Sequence, residues 1–261
     1  MTNSGTAWRC LNWTALIFAL VYPALLTWVY FTLLASATEA VQRDAYGIGK
    51  AIQFGLPLVW VGWVCRLPLR WPKFTTRGLA AGIIFGLVFG GAAVAIYFEW
   101  FKSAGYFHDA AGKMSRRLAE MGVQKLAIYA AVGLFYSLIH SLLEEYYWRW
   151  FVFGQLRQWL SSRSPVSPKL GTESRRDSAT WTAIAISSLA FMAHHVIVLG
   201  TYFGWVSPWT YLFSIATAIG GAFWAWLYQR SGSIYGPWIS HLLLDAAIFG
   251  VGYDLMRTAT G

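Results

Sequence analysis

Residues 126–153 read LAIYAAVGLFYSLIHSLLEEYYWRWFVF. A run of this length can cross a bilayer, whose hydrocarbon core takes about 20 residues of helix. Yet two adjacent carboxylates, Glu144 and Glu145, and one guanidinium, Arg149, sit inside it. A charge at the bilayer centre costs at least about 2.5–3.5 kcal/mol on insertion scales, so such residues are functional suspects by default.

The rest of the chain shows that this run is one of several. Of 261 residues, 57% are hydrophobic, 18% are aromatic and only 12% are charged, against about 25% charged in soluble domains. So few charges cannot cover a water-facing surface, which excludes a secreted, disordered or nucleic-acid-binding protein. Further apolar runs cover Leu11–Ala35, Gly47–Cys65, Leu79–Phe101, Ala179–Leu199, Tyr211–Tyr228 and Ile234–Tyr253. With residues 126–153 they predict an all-α, polytopic transmembrane helix bundle of about seven or eight spans. Ala35-Ser36-Ala37 imitates a signal-peptidase site, but the run before it exceeds the roughly 7–15 residues of a signal h-region. It is read as a retained span. The third run is rich in Gly and Ala, which permit close helix packing. Lys102–Lys125 is mixed and charged, as in an interfacial amphipathic helix or loop, and Arg157–Arg176 reads as a basic loop.

The net charge of +9 has a topological explanation, since Lys and Arg gather in cytoplasmic loops. Arg66, Arg70, Lys73 and Arg77 crowd one loop, and Arg157, Arg163, Lys169, Arg175 and Arg176 another. With seven spans they share a side with Arg9 and Arg230, which places the N-terminus in the cytoplasm and the C-terminus outside. The expected setting is the cytoplasmic membrane of a bacterium. Cys10 and Cys65 are two lone thiols, so a cysteine-based metal site is excluded.

Helical spacing organises the embedded charges. Residues four apart share a face, which pairs Glu145 with Arg149, His140 with Glu144, and His241 with Asp245. Glu144 and Glu145 diverge by about 100° around the axis. One carboxylate is then free to face a cavity while arginine holds its neighbour. A third polar segment, Phe191-Met192-Ala193-His194-His195, lies in a separate run. Any one pair reads as structural; two Glu, an Arg, His residues and an Asp on three spans point to chemistry.

At these residues the chain resembles the CPBP family, the CAAX proteases and bacteriocin-processing enzymes also called the Abi family. The family's three motifs, EExxxR, FxxxH and HxxxN or HxxxD, appear in order as Glu144-Glu145 with Arg149, Phe191 with His195, and His241 with Asp245. The lead-in Gly232-Ser233-Ile234-Tyr235-Gly236-Pro237 also looks like the family's approach to its last motif. The resemblance implies a catalytic core over 125–254, preceded by transmembrane helices and an interfacial segment over 1–124. It implies an intramembrane glutamate-dependent endopeptidase acting on a membrane-associated protein or peptide, with no cofactor and no metal. Glu144 would be the general base and His195 its partner on the water. His241 and Asp245 would stabilise the tetrahedral intermediate, and Arg149 with Glu145 would hold the site's shape, with Phe191 and His140 in support. Asp245 stands where prenyl endopeptidases of the family have Asn. An ionised Asp repels an oxyanion, so Asp245 either carries a proton or orients His241.

Three other readings use the same residues: a metal-dependent protease, a proton-coupled transporter, and a non-catalytic immunity or scaffold relative. The expected partners are membrane lipid and an anchored substrate, not nucleic acid. A compartment-specific label on the C-terminus is expected to report from the external side; a cytoplasmic signal would mean an even number of spans.

Overall fold

The computed structural model describes residues 13–69, 74–163 and 172–258, with side chains in the last stretch from 177. Arg9, Cys10, Arg70, Lys73 and Lys169, used above, lie outside the described residues, as do the side chains of Arg163, Arg175 and Arg176. Among the described residues there are eight helices and no strand. They are α1 (Trp13–Leu33), α2 (39–64), α3 (Leu79–Phe101), α4 (His108–Glu120), α5 (Leu126–Ser162), α6 (Thr172–Phe203), α7 (Pro208–Ser231) and α8 (Tyr235–Thr258).

Six of them, all but α2 and α4, are long and apolar enough to cross a membrane. The polytopic helical bundle is therefore as expected, while the count of seven included α2. Helix α2 falls short because polar side chains are mixed into it, yet it runs antiparallel along α1. Tyr22 Oη donates to the Gly49 carbonyl at 3.1 Å, Gln42 Nε2 donates to the Ala37 carbonyl at 2.9 Å, and Val61 packs in one cluster with Ala19. Gln42 and Gln53 point inward and are buried, whereas Ile48, Ile52 and Trp63 are exposed, as are Arg43 and Asp44 near its start. That arrangement inverts the soluble pattern. Elsewhere in the bundle Ser, Gln, Glu, Arg and His side chains are likewise buried beside aromatic ones, while many Leu, Ile, Phe and Trp side chains face outward.

One loop expectation changes at both its edges. Helix α5 continues past Phe153 to Ser162, and α6 begins at Thr172 instead of Ala179, so the basic Arg157–Arg176 stretch is mostly helix at its edges. Gln, Leu, Arg and Trp in 154–163 are acceptable helix formers and nothing in that segment breaks the turn. The Lys102–Lys125 segment does contain an amphipathic helix, α4, whose Ala110, Ala111 and Ser115 are buried. It lies across the bundle end, where Arg117 Nη2 donates to Tyr30 Oη at 2.8 Å and Lys113 Nζ to the Tyr202 carbonyl at 3.3 Å.

Helices α3 and α8 run parallel and pack along a glycine seam. Gly82, Gly86 and Gly90 are buried at four-residue spacing. A Cβ on Gly82 would overlap the Gly236 carbonyl, and one on Gly86 would come within 2.8 Å of Leu243 Cβ. Close approach of this kind is how membrane helices gain van der Waals contact where lipid removes any hydrophobic driving force. Gly82→Ala is expected to cost about 1–3 kcal/mol by overpacking, read as a lower thermal midpoint in detergent. Gly91→Ala, whose Cβ meets nothing within 4 Å, is the matched substitution that should leave the midpoint unchanged.

Candidate active site

Helix α5 changes pitch around its acidic pair. Turns bonded i→i+5 cover Tyr136–His140 and Tyr146–Phe153, with the short segment Ser141–Glu145 between them. Such wide turns recur at functional sites because they re-aim side chains within a helix. Here they bring Glu144 and Glu145 to rest beside one histidine of α8, both carboxylates buried.

Glu145 is held on two sides. Arg149 Nε donates to Glu145 Oε2 at 3.0 Å, with neither side chain exposed. His241 Nδ1 lies 2.9 Å from Glu145 Oε1, and a carboxylate only accepts, so Nδ1 carries the hydrogen. The Arg149 guanidinium also sits over the rings of Phe191 at 5.1 Å and Trp224 at 5.4 Å, a cation–π arrangement that strengthens when dry. His241 stacks on Trp224 at 4.1 Å between centroids, and Trp224 Nε1 donates to Ser240 Oγ at 3.0 Å. Phe191 of the FxxxH motif thus serves the arginine and packs edge-on to His241 at 6.2 Å.

Glu144 is surrounded without being bonded. Its carboxylate lies 3.9 Å from His140 Nε2, 3.9 Å from His194 Nε2 and 3.8 Å from His241 Nε2. Each separation exceeds a hydrogen bond. His241 Nε2 also lies 3.6 Å from Asp245 Oδ1. The imidazole of His241 therefore sits between the two glutamates, one nitrogen toward each. A single ring thus bridges the two neighbouring carboxylates.

The FxxxH histidine stands differently. His195 Nδ1 lies 3.0 Å from the Phe191 carbonyl, so Nδ1 is the protonated nitrogen and Nε2 of the neutral ring is an acceptor. Among the described residues His195 makes no ion pair with Glu144 within 4 Å; its neighbour His194 does, with the two rings 4.1 Å apart. His194 is fixed by stacking on Trp148 at 6.0 Å. The structure thus gathers Glu144, Glu145, Arg149, Phe191, His194, His195, His241, Asp245 and His140 in one place.

Sequence reading missed the contribution of α2. Lys50 places its Nζ over the rings of Tyr46 at 5.5 Å and Phe54 at 5.3 Å. Phe54 packs edge-on to His140 at 5.8 Å. Gln53 is buried, with neither amide atom hydrogen-bonded. The available signal was Lys50 and Gln53 inside the apolar run from Gly47, continuing the three- and four-residue spacing of Gln42 and Tyr46 before it.

Residues 125–247 match the family model described as type II CAAX prenyl endopeptidase Rce1-like. Over those 123 of 261 residues the chain is similar to the Rce1-like family. It covers α5, α6, α7 and the first half of α8, the elements that carry all three motifs, and leaves α1–α4 outside. No curated protein and no solved structure matches the chain. An Rce1-like segment in a bundle with six apolar spans makes this an integral membrane protein with the family's membrane endopeptidase framework. Among the described residues no group of three or more His, Cys, Asp or Glu is spaced as a metal-ligand set.

Removing one partner of a buried ion pair costs about 3–5 kcal/mol, because the other charge is left uncompensated. Arg149→Met is accordingly expected to lower the thermal midpoint in detergent sharply. Arg149→Lys keeps the charge but loses the fork over Phe191 and Trp224, and should fall between the two.

Proposed function

We propose that this chain is a glutamate-dependent intramembrane endopeptidase that cleaves a membrane-associated protein or peptide by direct attack of water. The observation carrying this reading is the state of Glu144. It is a buried carboxylate within 4 Å of three imidazoles and hydrogen-bonded to none, beside a second carboxylate tied to arginine and histidine. A base must keep a lone pair for the proton it takes, and Glu144 is the member of the pair that does.

In this reading Glu144 removes a proton from water, and His195 Nε2, left as an acceptor, orients that water. The water oxygen adds to the scissile carbonyl carbon. His241 Nε2 and Asp245 face the oxygen that gains charge, with Asp245 either protonated or orienting His241. The Glu145–Arg149 pair holds Nδ1–H of His241, a positioning role, and His241 acts as the imidazolium whose Nε2–H donates to that oxygen. Collapse of the intermediate breaks the C–N bond, and the proton held by Glu144 passes to the departing amine. No covalent enzyme intermediate forms, as in general acid–base and oxyanion chemistry elsewhere.

General-base removal costs about 10²–10⁴-fold in rate. Purified chain in lipid, assayed on membrane-anchored peptides with prenylated and non-prenylated tails, should lose kcat by that factor on Glu144→Gln. His195→Ala and His194→Ala distinguish the two neighbours: the larger loss is expected for His195. Cleavage that survives Glu144→Gln would overturn the glutamate mechanism, and loss on chelation with recovery on Zn²⁺ would replace it with a metal-dependent one.

A further inference from the structure

Helix α4 places Lys113, Arg116 and Arg117 around a second concavity of about 250 Å3, at the bundle end formed by the C-terminal ends of α1 and α6 and the start of α2. Tyr30, Gln42 and Tyr202 close its other sides, and Glu120 is the one acid in its lining. Three cations to one carboxylate make it an anion site by charge. None of these residues lies in the Rce1-like segment except Tyr202.

The cations are not equivalent. Arg117 is locked in place: Nη2 donates to Tyr30 Oη at 2.8 Å and to Gln42 Oε1, and Nη1 donates to Glu120 Oε2 at 3.4 Å. Burial opposes its charge, but the hydrogen bonds to Tyr30 and Glu120 outweigh that and raise it above its ordinary value. Lys113 gives one bond to the Tyr202 carbonyl, which leaves two of its three donors. Arg116 is exposed and has no hydrogen bond or ion pair among the described residues. One cation therefore shapes the wall, and two present donors to an incoming group.

The surroundings decide what that group belongs to. Phe31 and Ala35 line the cavity's apolar side, and Leu33, between them in the chain, has 56% of its surface exposed. Exposed apolar residues next to cations at the ends of spans mark the depth of the lipid headgroups. A soluble anion would gain nothing from that rim, whereas acyl chains would lie along it.

We propose that this cavity binds the phosphate of an anionic membrane phospholipid, with Lys113 and Arg116 contacting its oxygens and Arg117 fixing the wall. The assignment is independent of the peptidase reading, since it rests on residues of α1, α2, α4 and the end of α6, none of them a motif residue, and on binding alone.

The test is native mass spectrometry of the full chain in detergent, titrated with phosphatidylglycerol. A basic residue near an anionic headgroup contributes about 1 kcal/mol, so the doubly substituted Lys113→Gln/Arg116→Gln chain should bind about 25-fold more weakly. Arg43→Gln with Lys125→Gln, which removes the same charge outside the cavity, should bind as the unsubstituted chain does. Phosphatidylcholine should bind far more weakly than phosphatidylglycerol, and millimolar inorganic phosphate should not displace the lipid. Equal binding by the cavity variant, equal affinity for phosphatidylcholine, or displacement by phosphate would each overturn the proposal. If the cavity variant fails to fold, a photoactivatable phosphatidylglycerol on the unsubstituted chain replaces it: crosslinks must fall on α4 or the end of α1, and crosslinks elsewhere would overturn the assignment.

Discussion

The buried contact between Arg149 and Glu145 organises this molecule. Both side chains are fully enclosed, so neither tolerates loss of the other, and an apolar interior makes that dependence strict. Around the pair converge Phe191 from α6, Trp224 from α7 and His241 from α8. Four helices of the matched segment thus meet at one ion pair. Its position sets where His241 stands, and His241 in turn separates the satisfied glutamate from the unsatisfied one.

Much of this was legible in the sequence, for a definite reason. Charges inside apolar runs stand out, and the four-residue spacing of Glu145 with Arg149 and of His241 with Asp245 maps directly to one helix face. Local geometry of that kind survives folding. What the spacing did not carry was contact between helices. Nothing in Phe191-Met192-Ala193-His194-His195 reveals that His194 rather than His195 approaches Glu144, because that follows from the rotation of α6 against α5. The ring bridging both glutamates and the tryptophan stacked beneath it were hidden for the same reason. The wide turns of α5 were hidden too, since no proline or glycine announces them within 136–153.

Helix α2 shows how a polar core confuses composition. Gln42, Lys50 and Gln53 depress its hydropathy, so it does not rank with the six apolar spans. Those residues face the bundle, and the lipid side keeps Ile48, Ile52 and Trp63. A hydropathy average cannot tell an inward polar residue from an outward one.

The seam between α3 and α8 carries a consequence for sequence change. Helix α3 bears no motif residue, yet its small positions abut Gly236, Ser240 and Leu243, on the same turns of α8 as His241. Its backbone acts as a stop against which α8 is seated, and the height of His241 along the membrane normal follows from that seating. Substitutions on the lipid side of α3 are therefore free to drift among apolar residues. Its inner face is tied to the register of a histidine more than a hundred residues further along the chain.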